Sequence, residues 1–316
     1  MEKYPEIQKI YNDIQKLNIQ GATNIAIATF EGMKLYLEQS HVEGKSEFME
    51  EFEGIGNSLA HARVNEPLAR NGVTYVKHFF GQKFLDLPEL GVMKQEFTRL
   101  CDEYLDIIEE SKSELIKKNT PNLTNFDKVL THCHSSTAVS LIKSISKGDK
   151  DFEAVCTETR PRFQGRKTAK SLIEGGVKTT LIADSAAESF VIGRGSVPVD
   201  AIFIGCDQIT SDGHTVNKIG SWGIAMAAYY AGKPLYVVTP LLKIDPDSFM
   251  KTIKIEVREN SELWDEAPEG LHMYNPAFEI VDNVLISGYI TEFGMILPEN
   301  VEKATKEYYP WVLESK

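Results

Sequence analysis

From residue 123 onward, short apolar runs alternate with segments of helix length. That alternation constrains the fold more than any other feature of the chain. Lys128–His132, Glu153–Thr157, Lys178–Ala183, Ala201–Gly205 and Leu235–Thr239 read as buried strands. Ser136–Ser146, Lys167–Glu174, Ala186–Val191 and Lys218–Ala231 read as the helices between them. Strand–helix alternation implies a parallel sheet with right-handed crossovers. Further strand-like runs lie within Glu279–Ile296.

The first third is different. Ile7, Ile10, Tyr11, Ile14 and Leu17 recur at helical steps. Further helices are expected over about Ala22–Glu38 and Ser46–Ala62, and from Glu66-Pro67, since a proline fits a first turn. The longest runs from near Pro88 to about Lys118, with Met93, Phe97, Leu100, Tyr104 and Ile107 as its buried stripe. Asn119-Thr120-Pro121-Asn122 is a stop signal. The expected division is a helical domain, residues 1–122, and an α/β domain, residues 123–316. A length of 316 residues is comfortable for two domains.

Composition excludes several classes. The net charge is −12 and no long basic block occurs, which disfavours a nucleic-acid partner. No stretch approaches the roughly 20 apolar residues of a membrane span. The N-terminal sequence has no apolar signal core. Cys101, Cys133, Cys156 and Cys206 form no CxxC pair, which argues against a structural zinc site or redox dithiol and for a reducing, cytoplasmic setting.

The chemistry-bearing residues fall at strand ends. The run Thr131-His132-Cys133-His134-Ser135-Ser136-Thr137 closes one strand and opens a helix. Ligands of open α/β sheets bind outside the carboxyl ends of strands, and hydroxyl residues at a helix start suit phosphate. The helix start and the neighbouring histidines are expected to lower the Cys133 pKa. His132 and His134 read as packing and hydrogen-bonding residues rather than metal ligands. Ile204-Gly205-Cys206-Asp207 ends a second strand in a carboxylate, a candidate acid/base partner for Cys133. Asn217-Lys218-Ile219-Gly220 reads as the start of a helix and suits an anion. Arg160, Arg162 and Arg166 form a cationic loop that also suits an anion, against a reading as surface salt bridges. Arg63 and Arg70 suit an anion in the same way, against a reading of each alone as an ordinary helix-surface arginine. The first strand–helix turn lacks glycine, and Gly193-Arg194-Gly195 follows a helix, so a dinucleotide fingerprint is missing.

Thr131-His132-Cys133, Glu158-Thr159-Arg160-Pro161, Gly205-x-Asp207 and Asn217-Lys218-Ile219-Gly220 together resemble the superfamily of sugar-1-phosphate isomerases and translation initiation factor 2B α/β/δ subunits. Gln20-Gly21-Ala22 and Ala62-Arg63-x-x-x-Pro67 resemble its N-terminal motifs, and the likeness covers nearly the whole chain. It implies a helical N-terminal domain, a Rossmann-like parallel-sheet domain, and homodimers or hexamers built from dimers. Cys133 and Asp207 fall on the catalytic positions. Gln20, Gly21, Ala22, Thr23, Arg63, Ser135, Ser136, Thr137, Asn217, Lys218 and Lys243 fall on substrate-binding positions. Gln20 stands where the family often has arginine. Length and the Thr131–Ser135 run are most similar to the branch that converts ribose 1,5-bisphosphate to ribulose 1,5-bisphosphate in nucleoside and AMP degradation. The resemblance implies an aldose–ketose isomerase using a Cys/Asp acid–base pair, with no cofactor and no metal, and allows a nucleotide such as AMP as effector. A methylthioribose-1-phosphate isomerase and a non-catalytic regulatory subunit are the other readings within the superfamily.

Overall fold

The computed structural model describes residues 3–147, 151–194 and 198–313. The chain forms two compact units. One comprises Met1–Glu110, Leu242–Pro246 and Thr305–Lys316; the other comprises Ser111–Leu241 and Asp247–Ala304.

The first unit is helical. It contains α1 (Pro5–Gln15), α2 (Ala22–Gln39), α3 (Lys45–Ala60), α4 (Pro67–Lys83) and the greater part of α5 (Leu90–Asn119). Each helix buries one face. Ile7 and Ile14 of α1 and Ile25, Phe30 and Met33 of α2 are almost fully enclosed. Phe97 stacks on Phe52 at 4.1 Å and on Phe80 at 4.2 Å, tying α3, α4 and α5 together. Gly72 permits close packing, since a Cβ there would lie 2.4 Å from the Tyr104 ring. The α5 stripe runs through Met93, Phe97, Leu100 and Tyr104, but continues at Ile108 rather than Ile107, which is only half-buried. A step of four after Tyr104 keeps the stripe on one face as the 3.6-residue period drifts.

The second unit contains β1 (Lys128–Thr131), α6 (Ser136–Ile145), β2 (Glu153–Thr157), α7 (Gln164–Glu174), β3 (Lys178–Ile182), α8 (Ala187–Val191), β4 (Ala201–Ile204), β5 (Gln208–Thr210), β6 (Thr215–Lys218), α9 (Ser221–Ala231) and β7 (Leu235–Val238). The two-residue β8 (Ile244–Asp245) falls in the first unit's inserted segment. Then come β9 (Phe278–Val281), β10 (Gly288–Thr291) and β11 (Gly294–Ile296); α10 (Val301–Tyr308) begins in this unit and ends in the first, to which α11 (Pro310–Leu313) belongs.

Among the described residues the main sheet has seven strands in the order β11-β10-β7-β4-β1-β2-β3. All pairs are parallel except β10 with β11. Val129 of β1 pairs with Ala154 of β2 on one side and with Ala201 of β4 on the other. The chain therefore moves outward from β1 through β2 and β3, then crosses back to β4 and continues through β7 and β10. The reversal lies between β1 and β4, where an open α/β sheet leaves a crevice at its carboxyl edge. Val129, Leu141, Ile142, Ala154, Leu172 and Phe203 form the core around these strands. Strands β5, β6 and β9 make a smaller antiparallel layer, with Asn217 opposite Glu279 and Lys218 opposite Phe278.

One expected helix start is wrong. Asn217 and Lys218 lie on β6, and α9 begins at Ser221. Pairing with β9 holds those two residues extended, and Gly220, at φ +105°, turns the chain only afterwards. Gly195 lies outside the described residues.

Candidate active site

Cys133 follows β1 and Asp207 follows β4, so both stand at the carboxyl ends of the two strands that flank the reversal. The two loops touch. A Cβ on Gly205 would lie 2.5 Å from the Cβ of Ser135, so only glycine lets β4 end this close to the α6 start. Ser135 is the N-cap of α6, and its Oγ accepts from the Ala138 amide at 3.2 Å. Ser136 is exposed and Thr137 is buried.

Cys133 has a left-handed backbone, φ +67°. That conformation costs a residue with a Cβ about 1–3 kcal/mol, and it persists where neighbours fix it. Here the Cys133 amide donates to Thr159 Oγ1 at 3.0 Å, and its carbonyl accepts from Thr168 Oγ1 at 2.7 Å. Thr159 is left-handed too, at φ +62°, and its amide donates to Asp184 Oδ1 at 2.7 Å.

Both histidines have their tautomers set by these partners. His132 Nε2 lies 2.8 Å from the Ile219 carbonyl, which only accepts, so Nε2 carries the hydrogen. Its Nδ1 then accepts from Thr157 Oγ1 at 2.6 Å. The one hydroxyl hydrogen of Thr168 goes to Cys133, so His134 Nδ1 donates to Thr168 Oγ1 at 2.9 Å. Burial holds His132 below the usual histidine range. Burial, helped by the charge of Lys167, pushes His134 down to about 4. Both rings serve hydrogen bonding, as the sequence suggested.

The thiol departs from expectation. Burial pushes Cys133 up to about 11; the Lys218 ammonium pulls it back, and the Asp207 carboxylate pushes it further up. A helix start and two histidines were expected to lower it. Both imidazoles are neutral, and loss of solvent outweighs the nearby Lys218 charge. At neutral pH the sulfur keeps its proton.

Lys218 is buried, with Nζ 4.7 Å from the centre of the Phe278 ring. Asn217 Nδ2 donates to Ser221 Oγ at 2.9 Å. The α9 start, expected to meet an external anion, already holds one: Glu279 Oε1 accepts from the amides of Gly220 at 2.6 Å and Trp222 at 2.8 Å. Sequence reasoning missed both Glu279 and Phe278, because only the β6–β9 pairing brings them here. Cys206, next to Asp207 in sequence, is buried, and its Sγ accepts from Thr215 Oγ1 at 2.8 Å.

The arginine loop is engaged internally. Arg166 pairs with Glu158 and Arg162 with Glu262, both at 2.8 Å, while Arg160 donates to the Leu263 carbonyl at 3.1 Å. The salt-bridge reading holds for Arg162 and Arg166, since nearby carboxylates neutralise them.

In the first unit, Gly21 is the N-cap of α2 at φ +86°, followed by Ala22 and Thr23. Gln20 Nε2 donates to the Leu17 carbonyl at 2.6 Å. Arg63 is not on a helix surface. It is buried in the α3–α4 connection and paired with the buried Glu66 at 3.2 Å. Arg70 pairs with Asp245 at 2.8 Å, and Lys243 ends a short 3₁₀ turn.

Among the described residues no His/Cys/Asp/Glu group is arranged to hold a metal ion, and no helix is long and apolar enough to cross a membrane.

Residues 18–298 match the initiation factor 2 subunit family. A ribose 1,5-bisphosphate isomerase of Methanocaldococcus jannaschii is 31% identical over 99% of this chain and 98% of that protein. A methylthioribose-1-phosphate isomerase of Desulforamulus reducens is also 31% identical, over 93% of this chain and 88% of that protein. The crystal structure of 5-methylthioribose 1-phosphate isomerase from Pyrococcus horikoshii superposes with a TM-score of 0.75 at 27% identity, covering 98% of this chain and 88% of that one. The chain belongs to the initiation factor 2 subunit family, and within it the chain is an isomerase.

Proposed function

We propose that this protein converts ribose 1,5-bisphosphate to ribulose 1,5-bisphosphate, with Cys133 and Asp207 as the acid–base pair. The observation that carries the reading is the placement of a thiol and a carboxylate at the ends of β1 and β4, the strands flanking the sheet's reversal. The side chains at this edge suit a hydroxylated, phosphorylated sugar. Ser136, Asn217 and Lys218 are polar or cationic, whereas a methylthio group calls for apolar contact.

The chemistry follows from the protonation states. Opening the furanose ring breaks the C1–O4 bond and needs a proton at O4. A hydride with its electron pair then moves from C2 to C1, and the O2 proton leaves to a base as the C2 ketone forms. One proton enters and one departs. A thiol that keeps its proton at neutral pH suits the donor role, and the Asp207 carboxylate suits the acceptor role. The competing path removes the C2 proton to give an enediol; with Cys133 as its base it needs a thiolate, which burial disfavours.

Gln20, Gly21, Ala22, Thr23, Arg63, Ser135, Ser136, Thr137, Asn217, Lys218 and Lys243 are the proposed substrate contacts, on the family resemblance. The same reading gives a role in AMP and nucleoside degradation, a reducing cytoplasmic setting that suits four free thiols, assembly as a dimer or a hexamer of dimers, and a nucleotide such as AMP as effector.

The test is NMR of ribose 1,5-bisphosphate deuterated at C2, incubated with the protein in ordinary water. Ribulose 1,5-bisphosphate with deuterium at C1 is the expected product. Loss of the label to water points to the enediol path. The equal identity to the Desulforamulus relative favours a second reading. Turnover of methylthioribose 1-phosphate, with none of the bisphosphate, would establish it.

A further inference from the structure

Behind Cys133 runs a series of hydrogen bonds with one direction throughout. The Ile219 carbonyl only accepts, so His132 Nε2 donates to it. His132 Nδ1 therefore accepts from Thr157 Oγ1, which has then spent its hydrogen. Across the 3.2 Å between Thr157 Oγ1 and Thr159 Oγ1, Thr159 must be the donor. Thr159 Oγ1 in turn accepts from the Cys133 amide. No link reverses without setting two hydrogens, or two lone pairs, against each other. At the far end the imidazole also packs on Gly220, where a Cβ would lie 3.0 Å from Cε1.

We propose that His132 is a positioning residue for the isomerisation. Through Thr157 and Thr159 it holds Cys133 in its left-handed conformation, and through Ile219 it holds the turn that follows Lys218. The sulfur and the Lys218 ammonium then keep one spacing while protons move. The proposal rests on the reading of Cys133 as the reacting thiol. It assigns His132 no contact with substrate. A left-handed cysteine needs such support, because its relaxed conformation would carry the sulfur elsewhere. The ring is suited to the task because burial keeps it neutral, with one donor and one acceptor nitrogen.

The test is a pair of substitutions at the middle of the series. Thr157→Val preserves shape and removes the hydroxyl; Thr157→Ser preserves the hydroxyl. Steady-state kinetics and the pH midpoint of iodoacetamide alkylation are measured on both. Alkylation reports Cys133, since Cys101, Cys156 and Cys206 are buried. Thr157→Val is expected to lower kcat at least about tenfold with KM nearly unchanged, and to lower the alkylation midpoint by about one pH unit as water reaches the loosened thiol. Thr157→Ser is expected to restore both. Thr159→Val and Thr159→Ser repeat the comparison one link nearer Cys133, should Thr157→Val fail to fold. A folded valine variant with unchanged kcat and midpoint overturns the proposal, as does a serine variant as impaired as its valine counterpart. If the wild-type protein turns over neither sugar phosphate but the midpoint still moves in valine and not in serine variants, the substrate assignment fails and the positioning role stands.

Discussion

Gly205 and Ser135 are in such close approach that a Cβ on the glycine would sit 2.5 Å from the serine Cβ. This close approach holds the end of β4 against the start of α6, beside Cys133 and Asp207. Gly205→Ala must push Ser135, the α6 N-cap, out of place. Overpacking of this kind costs about 1–3 kcal/mol. A lower thermal midpoint and a lower kcat are expected together; wild-type values of both would mean that the loops yield freely.

Much of this frame was legible in the sequence, for a physical reason. Every residue of the Glu153–Thr157 strand is buried, and the apolar Ala154-Val155-Cys156 at its centre announces that locally. The start of α9 was misplaced because Lys218 is extended by pairing with Phe278, which no local pattern reveals. Glu279 caps that helix from 59 residues away. The Cys133 ionisation was misjudged for a related reason. Charges and helix ends can be read along a chain, whereas desolvation depends on everything packed around the sulfur.

The raised thiol sets a pH dependence. With Cys133 pushed up to about 11, the protonated form dominates at neutral pH and is lost only as pH rises toward that value. If the thiol is the acid, kcat should hold through neutrality and fall on the alkaline side, and alkylation should rise over the same range. Lys218→Met removes the charge that pulls the thiol down, so it should move the alkylation midpoint higher still. A midpoint near or below neutrality in the wild-type protein would contradict this.

His134 makes the fold acid-sensitive. Its folded-state value, about 4, lies below its ordinary value of 6.5, so between these limits the unfolded chain binds more protons. The stability contributed by the neutral ring is full above 6.5 and is lost as pH falls toward 4. Urea unfolding at pH 7.5 and pH 5 should show the loss, and His134→Gln should flatten it. Equal pH slopes for the two proteins would refute the assignment.

Two phosphates on the substrate imply two anchors. Charge-assisted hydrogen bonds contribute roughly 1.5–3 kcal/mol each, and 1.4 kcal/mol is about one decade of affinity. Calorimetry should find ribose 5-phosphate bound at least about tenfold more weakly than the bisphosphate. Arg63 is already paired with Glu66 and Gln20 with the Leu17 carbonyl, so Arg63→Ala tests whether a buried, committed arginine still serves substrate. Equal affinity for both sugars would remove the second anchor.

Single-turnover conversion of ribose 1,5-bisphosphate by the wild-type protein and by Cys133→Ser, Asp207→Asn and Cys206→Ser tests the central claim most directly. Loss of a positioned acid or base costs about 10²–10⁴-fold. Cys133→Ser and Asp207→Asn should each slow ketose formation by that factor with the fold intact. Cys206→Ser should stay near wild type, because that sulfur is buried against Thr215. Full activity in Cys133→Ser, with activity abolished in a folded Cys206→Ser, would contradict the assignment.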